Sequence, residues 1–590
     1  MAELQTHMVA ATGAAPAGRH VGVARALLSF ADSTRQQLVS SEFWLLVLAF
    51  SCAVIFLLPV KLPIGGYYWD TFLYPDASWR IANGQLPHVD FFVPVGALGY
   101  YTYRLVETLF PNGHMLLLAQ WSMLIITLPL MAWVNKDIIK RNAALALVVV
   151  LPFVFFAFVP LNSKEVYPHA GVDGFGIYNR HICLVLYILV AGYVFVPPGR
   201  KLTLLTGILL TVAFFLKITG ALTALIIITH AVLAGRLSLK QLGQALAIFA
   251  GVCVLIELPT GMVSAYLKDI GILLELNNQK LFERFRAPVI MYLDIIATTF
   301  MLAGLLAWVD RARLAFLLSQ RAGILLRKRI AAVLDHDFAW ILMLTVASVW
   351  FETQNTGSIA FSFVWPFLAD LFWRWHPRHR DRRTAVLLLI VLSTLPILMP
   401  MMHRTARVVL GTLFYDSLEA PLLGKYGEVD ARAELLERAF AMKAHYGHID
   451  DRYNGLSKAG HQSSLLLYSE FDFQLTHLIS ISEATDALLK WEAQNRTRLD
   501  KIITLDFVDV FTPLLRRTPV KLISIGMAAG RTVPPLTGSR LNAALEAHAL
   551  LVPLCPITPV RLSLFQTFQP VLDHTQRIEL TPCWDLYVRK

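Results

Sequence analysis

Charged residues are scarce in this sequence of 590 residues. Asp, Glu, Lys and Arg together make up 16% of the chain, whereas about a quarter of an average soluble domain is charged. Hydrophobic residues reach 56%, and many lie in uncharged stretches of about 18 residues or more, long enough for a helix to cross a bilayer. Within lipid the backbone must satisfy its own hydrogen bonds, so each stretch is expected to be a helix. The shortage of charge therefore excludes an ordinary soluble protein and predicts a mainly α, polytopic membrane protein.

Two further features are missing from the sequence. It has no glycine-rich phosphate loop of the P-loop form, so nothing in it indicates a nucleotide substrate. No internal repeat is evident, whereas many secondary transporters carry paired halves with interrupted helices. The net charge of +11 comes from Lys and Arg scattered through short loops, as in membrane proteins with basic cytoplasmic loops. This positive charge therefore does not indicate a nucleic acid partner.

The apolar stretches predict about eleven membrane spans. Lys and Arg accumulate in cytoplasmic loops, and they are most frequent in the segments that lie inside if the N-terminus is cytoplasmic. An odd number of spans then places the C-terminus outside. The two spans that meet near Lys217 decide this orientation, because merging them would reverse it. The predicted spans are 43–60, 115–134, 143–160, 182–196, 202–217, 219–235, 244–262, 289–308, 337–351, 357–373 and 384–401.

This topology divides the chain into three parts. Residues 1–42 form a cytoplasmic N-terminal tail without the pattern of a cleavable signal. Residues 43–401 form the transmembrane domain, with a first outside loop at 61–114, and residues 402–590 form a soluble periplasmic domain. We therefore expect a multi-pass protein of the bacterial inner membrane.

The C-terminal domain has the composition of a small extracytoplasmic α/β domain. Its predicted elements are a helix at Leu435–His445, a strand at Lys501–Val510, a strand-like run at 521–526, a helical run at 539–551 and a closing strand at Arg577–Val588. The domain contains two cysteines, Cys555 and Cys583. They could pair as a disulfide if the domain is extracytoplasmic, or they could remain two buried thiols.

The first outside loop carries three carboxylates among aromatic residues. Asp70 follows the first span directly, and a partly desolvated carboxylate in that position is suited to act as a base. Pro75 is expected to open a short helix that ends at Asn83–Gly84. Asp76 then lies in the first helical turn, where a carboxylate offsets the helix dipole. Asp90 brings another carboxylate back to the membrane surface.

The stretch Trp69–Tyr101 resembles the GT-C glycosyltransferases. It has an acidic residue just after the first span, a short helix ending in Asn-Gly-Gln, the motif P-x-x-D-F-F-x-P-x-G and a run of aromatic residues. Members of this family are multi-span enzymes that take sugars from polyprenyl phosphates, and they include aminoarabinose, mannosyl and galacturonosyl transferases. A looser similarity covers the sequence Tyr-Asn-Arg-His at 178–181 and the order of spans up to about residue 400.

The resemblance implies roles for individual residues. Asp70 matches the general base that acts on the acceptor hydroxyl, and Asp90 matches a second catalytic carboxylate that positions acceptor or metal. Many members have a second acidic residue directly after the base, where this sequence has Thr71. This sequence therefore lacks the adjacent carboxylate pair of those members. A divalent cation assists some members and not others, so a divalent cation stays open as a cofactor and its ligands stay unknown.

Three basic residues are candidates for holding the phosphate of the donor: Arg180, His181 and Lys217. All three lie at outside ends of predicted spans. An arginine fork matches phosphate oxygens and a lysine supplies a point charge, although a cation at the membrane edge also serves commonly as a snorkelling or topological residue. Glu352 lies at another outside helix end, where it either lines the same cavity or caps a tight turn. Asp76 is a second candidate for lining that cavity.

Three functions fit these features, and the leading one is an inverting hexosyl- or pentosyltransferase. It would move a sugar from a polyprenyl-phosphate donor to a glycolipid, polysaccharide or protein acceptor. A transporter or flippase of lipid-linked saccharides explains the spans equally well, but it explains the carboxylates of the first loop poorly. A membrane-anchored binding protein would work through the C-terminal domain alone. Membrane lipid is a partner in every case.

Overall fold

Helices dominate the structure, a computed structural model that describes residues 40–164, 169–277, 281–319, 326–353, 357–375, 380–448, 455–461 and 471–590. Most short strands lie after residue 412, near the C-terminus. The mainly helical chain with a small C-terminal sheet region was predicted from the sequence, and that prediction is confirmed. Almost all of the predicted cytoplasmic tail lies outside the described residues.

Each predicted span overlaps a helix, because these segments combine apolar residues with few helix breakers. The first helices are α1 (Ser41–Leu57), α2 (Leu73–Ala82), α3 (Leu98–Leu109), α4 (Met115–Trp121), α5 (Leu124–Arg141), α6 (Ala143–Phe158), α7 (Ile177–Phe195), α8 (Arg200–Leu216) and α9 (Ile218–Leu233). The next are α10 (Leu239–Thr260), α11 (Met262–Asn277), α12 (Leu281–Met291), α13 (Leu293–Val309), α14 (Arg311–Ser319), α15 (Leu326–Leu334), α16 (Asp337–Glu352), α17 (Trp365–Trp375) and α18 (Arg380–Thr412).

Several of these helices could cross a membrane. Within the described residues, four helical segments are long and apolar enough to do so, and two bent pairs raise the number to six if each pair is one span. The four segments are Met115–Arg141, Ile177–Phe195, Leu239–Thr260 and Arg382–Thr412. Three shorter apolar helices, α1, α6 and α9, accompany them. These helices indicate a membrane protein, while the count of eleven spans and their orientation stay predictions.

The chain breaks between two neighbouring helices at Lys217. α8 ends at Leu216 and α9 begins at Ile218, and Lys217 between them has the extended angles φ −167° and ψ 133°. Two separate helices are therefore present at the place where a single one would have reversed the predicted orientation.

The helix that contains the last predicted span, α18, extends beyond that span. α18 continues over 33 residues to Thr412, whereas the sequence predicted a span that ends at residue 401. The expected boundary between the transmembrane and C-terminal parts therefore lies inside one continuous helix. Pro396 and Pro400 lie within it, and membrane helices tolerate proline because neighbouring groups satisfy the freed backbone.

The first loop, residues 61–114, is folded. It begins with β1 (Leu62–Pro63), and a 3₁₀ turn at Tyr68–Phe72 then leads into α2. α2 ends at Asn83–Gly84 as predicted, and Gly84 has φ 79°, a left-handed conformation that favours glycine. The helix begins at Leu73, two residues before Pro75, which therefore lies in the first turn, where it breaks no internal hydrogen bond.

The segment around α2 is docked on the C-terminal part of the chain. Three of its side chains donate hydrogen bonds to backbone carbonyls there: Trp79 to Arg517 at 2.7 Å, Arg80 to Val520 at 2.8 Å and Gln85 to Pro519 at 2.7 Å. The side chains of Arg80 and Gln85 are buried, so these bonds are shielded from water. The first loop and the C-terminal domain therefore form one packed body.

A small sheet also joins these two regions. Its strand order is β1-β3-β2, with β2 at Asp416–Ser417 and β3 at Val429–Ala431. β1 runs parallel to β3, with Leu62 opposite Val429, and β2 runs antiparallel to β3. β1 in the first loop is thus paired with a strand that follows α18.

A second sheet forms the centre of the C-terminal domain. Its strands are β4 (Ile502–Thr504), β5 (Ala549–Pro553), β6 (Thr575–Thr581) and β7 (Trp584–Arg589), in the order β4-β5-β7-β6. β4 is parallel to β5, and the other pairs are antiparallel. The helices are α19 (Ala433–His448), α20 (Phe471–Gln494), α21 (Phe511–Leu514), α22 (Ser539–Leu545), α23 (Pro559–Thr567) and α24 (Gln569–Leu572). The predicted closing strand is a hairpin of two strands.

The predicted strand at 521–526 is wrong. These residues form no strand in the structure, and Leu522 has a left-handed φ of 60°. Two of their amides bond instead to the first loop, Leu522 N to Asp90 O at 2.6 Å and Ile525 N to Phe92 O at 3.1 Å. Local β propensity is overridden here because another part of the chain supplies the hydrogen-bond acceptors.

A disulfide joins Cys555 and Cys583, the pair considered in the sequence, and their Cα atoms lie 4.9 Å apart. It ties the segment after β5 to the hairpin of β6 and β7. The remaining cysteines of the chain, Cys52, Cys183 and Cys253, are free thiols.

Candidate functional site

Asp70 lies on the 3₁₀ turn of the first loop. Tyr67, which precedes the turn, has a left-handed φ of 55°, and its carbonyl accepts a hydrogen bond from the Asp70 amide at 3.1 Å. The neighbours Tyr68 and Trp69 are buried, whereas Asp70 is half-buried. The turn therefore presents a single carboxyl from an otherwise apolar and aromatic surface.

Burial dominates the electrostatics of Asp70. It raises the pKa of Asp70 to about 7, and the positive charge of Arg531 limits the rise. Burial disfavours the charged form of a carboxyl, and a nearby cation favours it. A carboxyl with a pKa near neutrality exchanges protons readily at physiological pH, which is the property required of a general base.

Three tyrosines lie within electrostatic reach of this carboxyl. The charge of Asp70 acts on the hydroxyls of Tyr74, Tyr100 and Tyr178. The rings of Tyr74 and Tyr100 lie 5.3 Å apart, and both side chains are buried, while Tyr178 is half-buried. Aromatic rings with polar ends suit the binding of a sugar, because they offer apolar faces and hydroxyls together.

Lys217 extends the site from the break between α8 and α9. Its Nζ donates to Asn179 Oδ1 at 3.2 Å and lies 4.7 Å from the centre of the Tyr178 ring. The charges that act on it are those of Glu352 and Arg531. Lys217 and Asp70 therefore approach the same tyrosine and the same arginine.

Glu352 ends α16 and is 3% exposed. Its carboxylate accepts hydrogen bonds from Tyr292 Oη at 3.1 Å and from Ser358 Oγ at 2.6 Å. Two hydroxyls and the electrostatic effect of Lys217 thus partly offset the cost of burying this carboxyl. Glu352 therefore acts on Lys217 electrostatically, and its direct contacts are with other protein groups.

Arg531 was not identified from the sequence. It lies in an irregular segment of the C-terminal domain and is exposed. Its carbonyl accepts a hydrogen bond from Asn277 Nδ2 at 3.1 Å, which fixes the segment against the end of α11. No local pattern marks this arginine, because its neighbours in the site come from distant parts of the chain. We call Asp70, Tyr178, Lys217, Glu352 and Arg531 the Asp70 cluster.

Arg180 and His181 are buried beside this cluster and are bonded to protein groups. Arg180 donates to Gln120 Oε1 at 2.7 Å, Asn162 Oδ1 at 2.7 Å, Phe175 O at 3.0 Å and Asp173 O at 3.2 Å. His181 Nε2 lies 2.9 Å from Gln120 O. Arg180 thus holds the segment between α6 and α7 against α4, and its fork is directed at protein oxygens.

Asp76 and Asp90 are bonded to other groups of the protein. Asp76 forms a buried ion pair with Arg80 at 2.8 Å, and burial raises its pKa to about 7 against the effect of that arginine. Asp90 accepts from Leu86 N at 2.9 Å and from Lys521 Nζ at 3.0 Å. Both carboxylates therefore hold the first loop together or attach it to the C-terminal domain.

No obvious set of metal ligands is present in the part of the chain that the structure describes. No group of three or more His, Cys, Asp or Glu side chains there could hold an ion. The two cations of the Asp70 cluster, Lys217 and Arg531, are the groups that could meet an anionic ligand.

Comparisons with known proteins identify distant structural similarity. No known protein family and no curated protein matches the sequence. Among solved structures, the chain is similar to ArnT from Cupriavidus metallidurans in the apo state and to the same protein bound to undecaprenyl phosphate. Each match has 11% identity and a TM-score of 0.39, and it covers 92% of this chain and 97% of the other. Similarity of this extent assigns no activity to the chain.

Proposed function

We propose that this protein is a membrane glycosyltransferase that moves a sugar from a polyprenyl-phosphate donor to an acceptor hydroxyl. The proposal rests chiefly on the Asp70 cluster, in which a half-buried carboxyl with a pKa of about 7 shares its surroundings with Lys217 and Arg531. A base and two cations are the groups that transfer from a phosphate leaving group requires. The GT-C-like motif around Asp70 supports the same class of reaction.

The proposed reaction is a single displacement at the anomeric carbon of the sugar. The acceptor oxygen forms a bond to this carbon while the bond to the phosphate oxygen breaks, and its electron pair remains on the phosphate. Asp70 takes the proton of the acceptor hydroxyl. Attack from the side opposite the phosphate inverts the configuration and leaves a glycosylated acceptor and a polyprenyl phosphate.

Lys217 and Arg531 stabilise the leaving phosphate in this scheme. Negative charge grows on the phosphate as its bond to the sugar breaks, and fixed cations are most effective where water is partly excluded. Glu352 acts on Lys217, so we propose that it orients the lysine toward the phosphate. Tyr178, whose ring lies against Lys217, would contact the sugar between base and phosphate.

The other candidate residues receive supporting roles. Arg180 and His181 would shape the site from beneath, because their hydrogen bonds are made with protein groups. Asp76 and Asp90 would hold the first loop in place. We propose that the site opens to the outer face of a bacterial inner membrane, since the distribution of Lys and Arg favours a cytoplasmic N-terminus and a periplasmic C-terminal domain.

The experiment that tests the function compares glycolipids by mass spectrometry. The strains are a deletion, the deletion complemented with the parental gene and the deletion complemented with Asp70→Asn at matched protein level. We expect one defined sugar mass to disappear in the deletion and with Asp70→Asn, and to return with the parental gene. That result would also identify the transferred sugar.

The same experiment distinguishes a transporter or flippase. If the protein were a transporter, the lipid-linked saccharide would accumulate in the deletion with its structure unchanged. The Asp70→Asn variant would then restore its movement as the parental gene does, because transport needs no general base. Protein-dependent translocation in liposomes without any change of a glycosidic bond would support that function and reject the transferase.

The transfer rate is expected to depend on pH through Asp70. The carboxylate is the active form, and its pKa is about 7, so the fraction of Asp70 in the active form rises as the pH increases through the pKa. Below pH 7 the rate should fall about tenfold for each pH unit. Initial rates measured from about pH 5 to 9 in parental membranes test this expectation. A rate that stays constant between pH 5 and 7 would contradict it.

Replacement of Lys217 by methionine should weaken binding of the donor phosphate. A hydrogen bond to a charged group contributes about 1.5–3 kcal/mol, so the Kd for undecaprenyl phosphate should rise roughly 10- to 150-fold. Titration of the purified protein with this lipid measures the effect. Lys240→Met is the matched control, because Lys240 is exposed at the start of α10. Equal affinity of the two variants for undecaprenyl phosphate would show that Lys217 does not bind the phosphate.

A further inference from the structure

We infer that the C-terminal domain positions the catalytic base, with Gln474 as the positioning residue. The inference rests on the proposed function, because it gives Gln474 a role through Asp70. The C-terminal domain thereby receives a role in catalysis, although the proposed base, Asp70, lies in the first loop. Three observations support it: a hydrogen bond to the turn, an aromatic contact and a buried ion pair.

The hydrogen bond joins α20 to the turn that carries the base. Gln474 is 2% exposed, and its Oε1 accepts from the backbone amide of Trp69 at 3.1 Å. Trp69 is the second residue of the 3₁₀ turn, and an amide in that position has no acceptor within its own turn. Gln474 therefore caps the turn one residue before Asp70. Only the amide oxygen can accept this bond, which settles the orientation of the side chain.

The Trp69 side chain is enclosed by the same domain. Its ring is stacked on Phe507, with centres 5.6 Å apart, and meets the ring of His477 edge to face at 5.0 Å. The guanidinium of Arg561 lies 6.0 Å from the ring centre. Burial lowers the pKa of His477 to about 4, so this imidazole is neutral at physiological pH. We call Gln474, His477, Phe507 and Arg561 the Trp69 seat.

The seat is itself fixed by buried charge. Arg561 makes two hydrogen bonds to the carboxylate of Asp506, at 3.1 and 2.6 Å. It also donates to the carbonyls of Cys555 and Pro556, at 3.3 and 2.9 Å. Asp506 and Arg561 are 1% and 4% exposed, and a bidentate pair has a narrow geometry. The seat therefore has little freedom to shift.

Main chain and side chain of Trp69 are thus both held by the C-terminal domain. The backbone that leads to Asp70 can move only if this contact opens. A displacement of about 1 Å from the reactive geometry can lower a rate by about 10²-fold. The residue that prevents such displacement lies 405 positions away in the sequence.

The test is Gln474→Met in the full-length protein, because methionine fills a similar volume and lacks the acceptor. We expect a 10- to 100-fold lower rate of sugar transfer. The Kd for undecaprenyl phosphate should stay within about twofold, since the cations of the site are untouched. The matched control is Thr476→Val. Thr476 is buried on the same helix, and it donates to Ala439 O at 3.1 Å, within the C-terminal domain. It should keep the parental rate.

A second variant covers the case in which Gln474→Met does not accumulate. Phe507→Leu keeps the hydrogen bond to Trp69 and removes the stacked ring, and it should lower the rate about threefold to tenfold at unchanged lipid affinity. The inference is overturned if the rate of Gln474→Met, or of Phe507→Leu in its place, equals that of Thr476→Val. It is also overturned if rate and lipid affinity fall together, as general unfolding would cause.

Asp70→Asn is included to separate this inference from the proposed function. An inactive Asp70→Asn together with a fully active Gln474→Met rejects the positioning role alone. A fully active Asp70→Asn rejects the proposed function, and the positioning role with it.

Discussion

Asp70→Asn is expected to lower the rate of sugar transfer by roughly 10²- to 10⁴-fold, the range that general acid–base catalysis contributes. Asparagine keeps the size of the side chain but cannot take a proton from the acceptor. The change also removes a carboxyl whose burial is unfavourable to its charged form, so the amount of folded protein should not decrease. The rate is measured in membranes with matched protein content, as the appearance of the sugar mass on the acceptor.

The control for Asp70→Asn is Glu419→Gln, which neutralises an exposed carboxylate in the C-terminal domain. It should transfer sugar at the parental rate. Binding of undecaprenyl phosphate should be retained by Asp70→Asn, because the proposed contacts to phosphate come from Lys217 and Arg531. A rate within tenfold of the parental one, at equal protein level, would show that Asp70 is not the base.

Arg561→Met is expected to cause the largest loss of stability. It leaves the carboxylate of Asp506, which is 1% exposed, without its cationic partner, and the Phe507 amide at 2.8 Å remains as a hydrogen-bond donor. Removal of one member of a buried ion pair costs about 3–5 kcal/mol. For a domain of this size the loss corresponds to a decrease in melting temperature of roughly 6–20 °C. Thermal unfolding of the purified protein in detergent measures it.

Two further variants complete this experiment. Lys490→Met breaks the ion pair with Asp486, whose side chains are 70% and 48% exposed, and it should change stability by less than about 1 kcal/mol. The double replacement Arg561→Met with Asp506→Leu removes both charges and should recover most of the lost stability. Similar melting temperatures for Arg561→Met and Lys490→Met would refute the importance of the buried pair.

Local signals predicted much of the helical part. The apolar stretches gave the positions of the helices, and Asn83–Gly84 gave the end of α2. Asp70 was identified because it follows the first span, and Lys217 because it interrupts two apolar stretches. Each of these signals lies within a few residues of the feature that it predicts. The extension of α18 to Thr412 was missed, because His403, Arg404 and Arg407 end the apolar run well before the helix ends.

Residues that meet across the chain could not be predicted in this way. Arg531 and Gln474 lie in a different part of the sequence from Asp70, and neither stands in a recognisable motif. The partners of a side chain were likewise not visible in the sequence. Arg180 has the charge and fork suited to a phosphate, and in the folded protein it donates to Gln120 and Asn162. These partners depend on the tertiary arrangement, and a phosphate role for Arg180 stays a prediction.

The cap on the base-carrying turn has a consequence for the biogenesis of the protein. Trp69 and Gln474 are separated by 405 positions, and a ribosome adds about 5–20 residues per second, so roughly 20–80 s pass between the synthesis of the two. During that interval the helices enter the membrane while the turn that carries Asp70 has neither its cap nor its aromatic seat. β1 is likewise synthesised before β3, the strand with which it pairs. A nascent chain, or one cut short before α20, therefore has the carboxyl of Asp70 without the support of the C-terminal domain, and we expect the proposed sugar transfer to begin only after synthesis has reached that domain.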